Sequence, residues 1–313
     1  MGKHWGVWAT ALLLAVSISG CGEKNEAAPA KVAIDPAFEA EQQQWRQQRY
    51  EALHAADGWT SLVGLHWLEY KAHYIGRGPG SGIRLAVGPD KLGMVAREGS
   101  TVWFTPERGV PMRVEGKPVT GRIRFFSDRD PAPTVIAFDD DKGRLSLIHR
   151  GERFALRVKH ADAPSRTNFT GLTYWPGGPS WRITARFVPH PAGKTLPIAD
   201  ITGLTTNMPN AGTLEFERDG RTWRLEAIGE PGRELFVIFG DRTSGHGSYP
   251  AGRYLDLPAP DAQGRVVIDF NHAYNPPCAF TPFATCPLTP PENRLDLRVD
   301  AGEQAYHAPE GEA

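Results

Sequence analysis

Residues 134–158 read TVIAFDDDKGRLSLIHRGERFALRV, and this stretch decides the fold class. Its three apolar runs, 134–138, 144–150 and 153–158, have strand length and are rich in Val, Ile, Leu and Phe. Between them stand Asp139-Asp140-Asp141-Lys142-Gly143 and Gly151-Glu152, small and polar residues that reverse a chain rather than extend it. Apolar runs punctuated in this way predict antiparallel hairpins. Asp139, Asp141 and Gly143 share part of the spacing of a calcium loop, but the downstream acidic ligand is missing, so the segment reads as a polar turn.

The same rhythm extends outward. Upstream it predicts strands at residues 83–87, 92–97, 101–104, 112–115 and 119–126. Residues 161–179 interrupt it with Asp, Pro and Gly and form a candidate junction. Beyond lie 181–188, 196–202, 213–217, 222–228, 234–240, 253–257, 266–270 and 295–299. The expectation is a mainly β protein of two β-rich lobes, sandwich or barrel, over residues 37–160 and 161–303, with a tail at 304–313. A content of 34 Gly and 27 Pro in 313 residues excludes a helical bundle, and 40% hydrophobic residues exclude general disorder.

One helix precedes the strands. Asp35 can cap it, Pro36 suits its first turn, and Phe38, Trp45, Arg49 and Ala52 fall near one face of residues 37–55. Asp57-Gly58 ends it. Residues 59–68, WTSLVGLHWL, then enter the core, with His66 expected as a hydrogen-bonded core histidine.

At the N-terminus, Lys3 and His4 precede an uncharged run, residues 5–20, whose apolar heart at 9–16 is shorter than the roughly 20 residues a membrane span requires. Ile18-Ser19-Gly20-Cys21 follows, and the order resembles a bacterial lipoprotein signal cut before the cysteine. The resemblance implies a signal peptide at 1–20, a flexible tether at 21–36, and a diacylglycerol- and palmitate-bearing Cys21 that anchors an extracytoplasmic protein to the bilayer. The net charge of −1 gives no basic footprint, so a nucleic-acid partner is not expected. Oligomeric state is not legible.

With Cys21 acylated, Cys278 and Cys286 remain. An even remainder in an oxidising compartment reads as a disulfide. Free thiols are one alternative, and a zinc site with His272 is another. The separation of eight exceeds the two to four usual between structural zinc ligands, and no cofactor is expected.

Two segments carry more polar chemistry than connectors need. Residues 239–249 bring together Asp241, Ser244 and His246, flanked by glycines that allow close backbone approach, with Arg253 just beyond. Orienter, nucleophile and base could be read there, though the separation is short for a triad. The structural alternative has Asp241 and Thr243 capping turns while Arg253 pairs with Asp241 or Asp256. Residues 268–287 present Asp269, Asn271, Tyr274 and Asn275 beside a Pro276-Pro277 pair, and Asn293-Arg294 close the string. This suits a stiff shelf fixing a small polar ligand. Alternatively, the Asn and Asp side chains satisfy backbone groups of an irregular loop.

These residues also carry a family resemblance. Asp269-Phe270-Asn271, then residues 273–280 (AYNPPCAF), Cys286-Pro287 and Asn293-Arg294-Leu295 are similar to domain-of-unknown-function family 1684. Residues 62–68, Phe169 with Gly171, residues 241–245 and residues 252–255 resemble it too. The resemblance implies no established activity or catalytic residues. The residues support a protein that binds a small polar ligand or an envelope component in a cleft of the second β lobe. The alternative is a hydrolase or isomerase using His246 with Asp241 or Asp269. The sequence does not decide between binding and catalysis.

Overall fold

A computed structural model describes residues 1–2 and 35–308. Its helix runs Pro36–His54, and the Asp35 carboxylate caps it by accepting the Ala37 amide at 2.9 Å. Cys21, the signal segment and the tether up to residue 34 lie outside the described residues. No helix among the described residues is long and apolar enough to cross a membrane.

The protein is mainly β. The stretch 134–158 forms strands Val135–Phe138, Gly143–Arg150 and Arg153–His160, each antiparallel to the next. Their sheet is extended by Leu62–Trp67 on one side and by Met112–Val114 and Lys117–Pro118 on the other. A second, five-stranded sheet comprises Ile83–Arg84, Ala72–Gly76, Gly93–Glu98, Thr101–Pro106 and Ile123–Arg124. Ile75, Val95 and Phe104 from this sheet share one buried cluster with Ile136, Leu145 and Leu156 from the first, which makes the pair a sandwich.

Strand alternation positions the other face of Arg153–His160. Phe154, Leu156 and Val158 are buried, so Arg153, Arg157 and Lys159 project away from that core. Each cation lies over a tryptophan ring. Arg153 is 3.9 Å from the centre of Trp67, and Arg157 and Lys159 are 5.2 and 5.1 Å from that of Trp59.

The remaining strands form a nearly closed, barrel-like sheet in the order Arg253–Leu257, Leu235–Phe239, Arg221–Ile228, Thr205–Arg218, Arg182–Pro189, Arg265–Asp269. Leu214, Leu225, Val237 and Ile268 fill it around Phe270, which meets Trp181, Phe216 and Phe239. Thr205–Arg218 starts eight residues before the expected strand at 213. Its polar first part pairs with Thr195–Ala199, and an irregularity between Asn210 and Gly212 lets the chain change partners.

Two further expectations are corrected. Residues 295–299 form no strand. Leu295, Leu297 and Val299 alternate into the core, but their backbone bonds run to the 240–242 loop, and the Val299 amide donates to the Asp241 carboxylate at 2.8 Å. The His66 ring is half-buried and makes no hydrogen bond among the described residues, and burial lowers its pKa. Gly64 makes room for it, since a Cβ there would stand 2.7 Å from the His66 Nε2.

The described residues from Asp35 onward belong to one compact unit. The helix packs through Leu53 against Phe169 and Phe280. Glu41 and Arg49 tie it to Arg182 and Glu303.

Candidate ligand-binding cleft

The 239–249 loop is organised inward. Asp241 is buried and accepts from the Thr243 amide at 3.1 Å, the Thr243 hydroxyl at 2.9 Å, the Val299 amide at 2.8 Å and the Arg253 guanidinium at 3.3 Å. Arg253 is fully buried and also donates to the carbonyls of Val299, Ala301 and Glu303. Burial pushes its guanidinium pKa down, against the pull of Asp241. The Ser244 hydroxyl accepts the Asp241 amide at 3.1 Å. His246 is exposed, and among the described residues its ring reaches only the Ser244 carbonyl, at 3.3 Å. Gly247 serves its own chain. A Cβ at its positive φ would stand 2.6 Å from the Trp175 ring, which also donates to the Ser248 hydroxyl.

The 268–287 string is divided among separate tasks. Asp269 meets Arg182 at 2.8 Å and accepts from Asn271, while Asn271 pairs reciprocally with the Gly178 backbone. Glu41, Asp269 and His272 place ligand atoms within 4.8 Å of one another, but the Arg182 guanidinium already bridges the two carboxylates at 2.7 and 2.8 Å. His272 stacks on Trp45 with ring centres 4.7 Å apart. Cys278 and Cys286 form a disulfide with Cα atoms 6.1 Å apart. Asn293 is buried and stitches strands together: it accepts the Glu226 amide and donates to the carbonyls of Glu226 and Ile238. Arg294 is exposed and contributes a backbone bridge to Gly240.

No hydrogen bond or ion pair among the described residues joins His246 to Asp241 or Asp269. The polar side chains of the two segments instead satisfy backbone and ion-pair needs, Asn271 with Gly178, Asp269 with Arg182 and Asp241 with the Val299 amide.

Asp269 borders one cleft beside Glu41, Arg182 and His272, whereas Tyr274 and Asn275 line a second cleft formed by the described residues. It measures about 650 Å³, bounded by the helix, the Gly143–Arg150/Arg153–His160 hairpin and the disulfide loop. Trp45, Gln48 and Arg49 reach it from one helix face, at spacings of three and one. Trp59, Arg150 and Arg157 form the hairpin side. Phe236, Tyr254 and Asp256 come from adjacent strands, and Tyr254 and Asp256 share a face by strand alternation. Tyr274 is locked to Tyr254 by two backbone hydrogen bonds at 2.8 and 3.0 Å, and its hydroxyl donates to Asp256 at 2.8 Å. The Tyr254 hydroxyl donates to the Pro287 carbonyl at 2.6 Å, tying the strand to the disulfide loop. Burial raises the pKa of both phenols.

Sequence reasoning missed the cationic wall. Its signal was present in Arg150 and Arg157, on the paired strands of the predicted hairpin, and in two tryptophans flanking the helix end. Which cation faces open space depends on packing.

The model of a family described as protein of unknown function, DUF1684, matches residues 167–304. An uncharacterized protein of Haloarcula marismortui, solved by solution NMR, is 34% identical over 44% of this chain and 78% of that one, with a TM-score of 0.37. The chain belongs to the DUF1684 family. The DUF1684 match contains the barrel-like sheet and the disulfide loop, hence Phe236, Tyr254 and Tyr274 of the cleft. The helix and cationic hairpin precede it. No curated protein matches the chain.

Proposed function

We propose that this protein is a lipid-anchored, extracytoplasmic binding protein that takes a small organic ligand into the cleft between helix, hairpin and disulfide loop. The lining carries the reading. Five aromatic side chains and a few fixed polar groups surround about 650 Å³, within the size and composition of small-molecule sites. The walls are held by a disulfide and by hydrogen bonds between elements distant in sequence, so the site is formed before any ligand arrives. The site borders the second lobe rather than lying within it, and the hairpin of the first lobe supplies two of its three arginines. The hydrolase or isomerase alternative finds no carboxylate bonded to His246 among the described residues.

The anchor rests on Ile18-Ser19-Gly20-Cys21. Labelled palmitate should enter the wild-type protein and not Cys21→Ser, and label in neither would exclude acylation. Purified Cys21→Ser protein, which carries no acyl chain, is suited to a thermal-shift screen of a metabolite library, because ligands that bind the native form raise Tm. Gln48 is an exposed helix residue on the cleft rim, so Gln48→Trp should fill the opening and abolish hits without changing basal Tm. Hits that persist in Gln48→Trp would remove the cleft as the site.

A further inference from the structure

The three arginines of the cleft are not equivalent. Arg49 bonds Glu303 at 2.8 Å and the Asn275 carbonyl at 2.9 Å. Arg150 bonds Asp128 at 2.7 Å and the His149 carbonyl at 2.8 Å. Arg157 has no carboxylate or carbonyl partner among the described residues. Its Nε is buried without a hydrogen bond, and its guanidinium lies over Trp59.

Such an arrangement is costly when empty. Burial pushes the Arg157 pKa down, and neighbouring Arg150 adds repulsion that Asp128 only partly offsets. A guanidinium carries five N–H donors in a planar fork that matches an oxyanion bidentately. Asp256, the lining carboxylate, is occupied with the Tyr274 hydroxyl and is not among the charges acting on Arg157. Aromatic faces from Trp59, Phe236, Tyr254 and Tyr274 border the remaining space.

We infer that the cleft ligand is a small organic anion, with its oxyanion group on Arg157 and a planar apolar body against the aromatic wall. The inference deepens the cleft reading and rests on it.

Two probes share an aromatic body and differ in charge: 8-anilinonaphthalene-1-sulfonate and uncharged N-phenyl-1-naphthylamine. Titrated by fluorescence into the Cys21→Ser protein, the sulfonate should bind one-to-one and at least about tenfold more tightly, as expected for a charge-assisted bond in a partly desolvated site. Arg157→Gln should bring the sulfonate to the affinity of the neutral probe, and Arg157→Lys should retain part of the difference. Arg153→Gln removes the same charge on the same strand face outside the cleft, and should leave binding unchanged. Equal affinities for the two probes, both blocked by Gln48→Trp, would overturn the anion inference and leave the cleft standing. A sulfonate preference unaffected by Arg157→Gln and Arg157→Lys would also overturn it. Neither probe binding, or binding unaffected by Gln48→Trp, would overturn the cleft reading and the inference together.

Discussion

Arg49 and Glu303 meet at 2.8 Å across 254 residues of sequence, the guanidinium Nε donating to one carboxylate oxygen. The other oxygen accepts the Asn275 amide at 2.7 Å, and Arg49 returns a bond to the Asn275 carbonyl at 2.9 Å. This closed triangle fastens the first helix to the edge of the cleft. Burial pushes the Glu303 pKa up while Arg49 opposes the shift.

Removing one member of a buried pair strands the other. Glu303→Ala should lower stability by about 3–5 kcal/mol, read as a reduced urea midpoint. A loss below about 1 kcal/mol would mean that water replaces the carboxylate and that the triangle does not hold the helix.

Arg253 answers to the same physics at a deeper position. Arg253→Met should destabilise strongly, because Asp241 and three carbonyls lose a shared donor. Adding Asp241→Asn should recover part of that loss by removing the stranded charge. A double variant less stable than Arg253→Met would show that Asp241 acts mainly through Thr243 and Val299.

The Cys278–Cys286 bond closes a loop of eight residues. On the chain-entropy account, a Cys278→Ser, Cys286→Ser variant should be less stable by roughly 2.5 kcal/mol. Mass spectrometry of the unreduced mature protein should find no alkylatable thiol, and two such thiols would contradict the pairing.

Burial lowers the pKa of both His66 and His272 below the ordinary imidazole value of 6.5. Near that pH the unfolded chain takes up protons that the folded chain refuses, so the unfolded state binds more of them. Stability should therefore fall as pH drops through 6.5 towards the folded pKa values. His272→Gln should flatten this slope in pH-dependent urea titrations. An unchanged slope would assign it to other groups.

His246 provides the contrasting case. Exposed and bonded only to the Ser244 carbonyl, it should tolerate His246→Ala within about 0.5 kcal/mol. A large loss of stability, or of ligand response in the metabolite screen, would restore it to a functional role.

Much of the scaffold was legible locally. Asp35 announced the helix start, the Asp139–Gly143 turn announced a hairpin, and Cys278 with Cys286 announced a bond. The pairing of Arg253 with Asp241, and the use of Asn271 and Asn293 on backbone groups, were readable as the structural alternative. Residues 295–299 misled because alternating burial arises without a strand when a side-chain carboxylate takes the place of a backbone acceptor.

Caps, turns and side-chain alternation act within a few residues, so the sequence by itself determined the helix, the central hairpins and the disulfide. Whether a charge is spent or free depends on groups far away along the chain. Arg49 finds Glu303 after 254 residues and Arg253 finds Asp241 after 12, while Arg157 forms no ion pair among the described residues. Only the tertiary structure decided that, because electrostatic pairing is set by distance and desolvation in space, which no local pattern encodes.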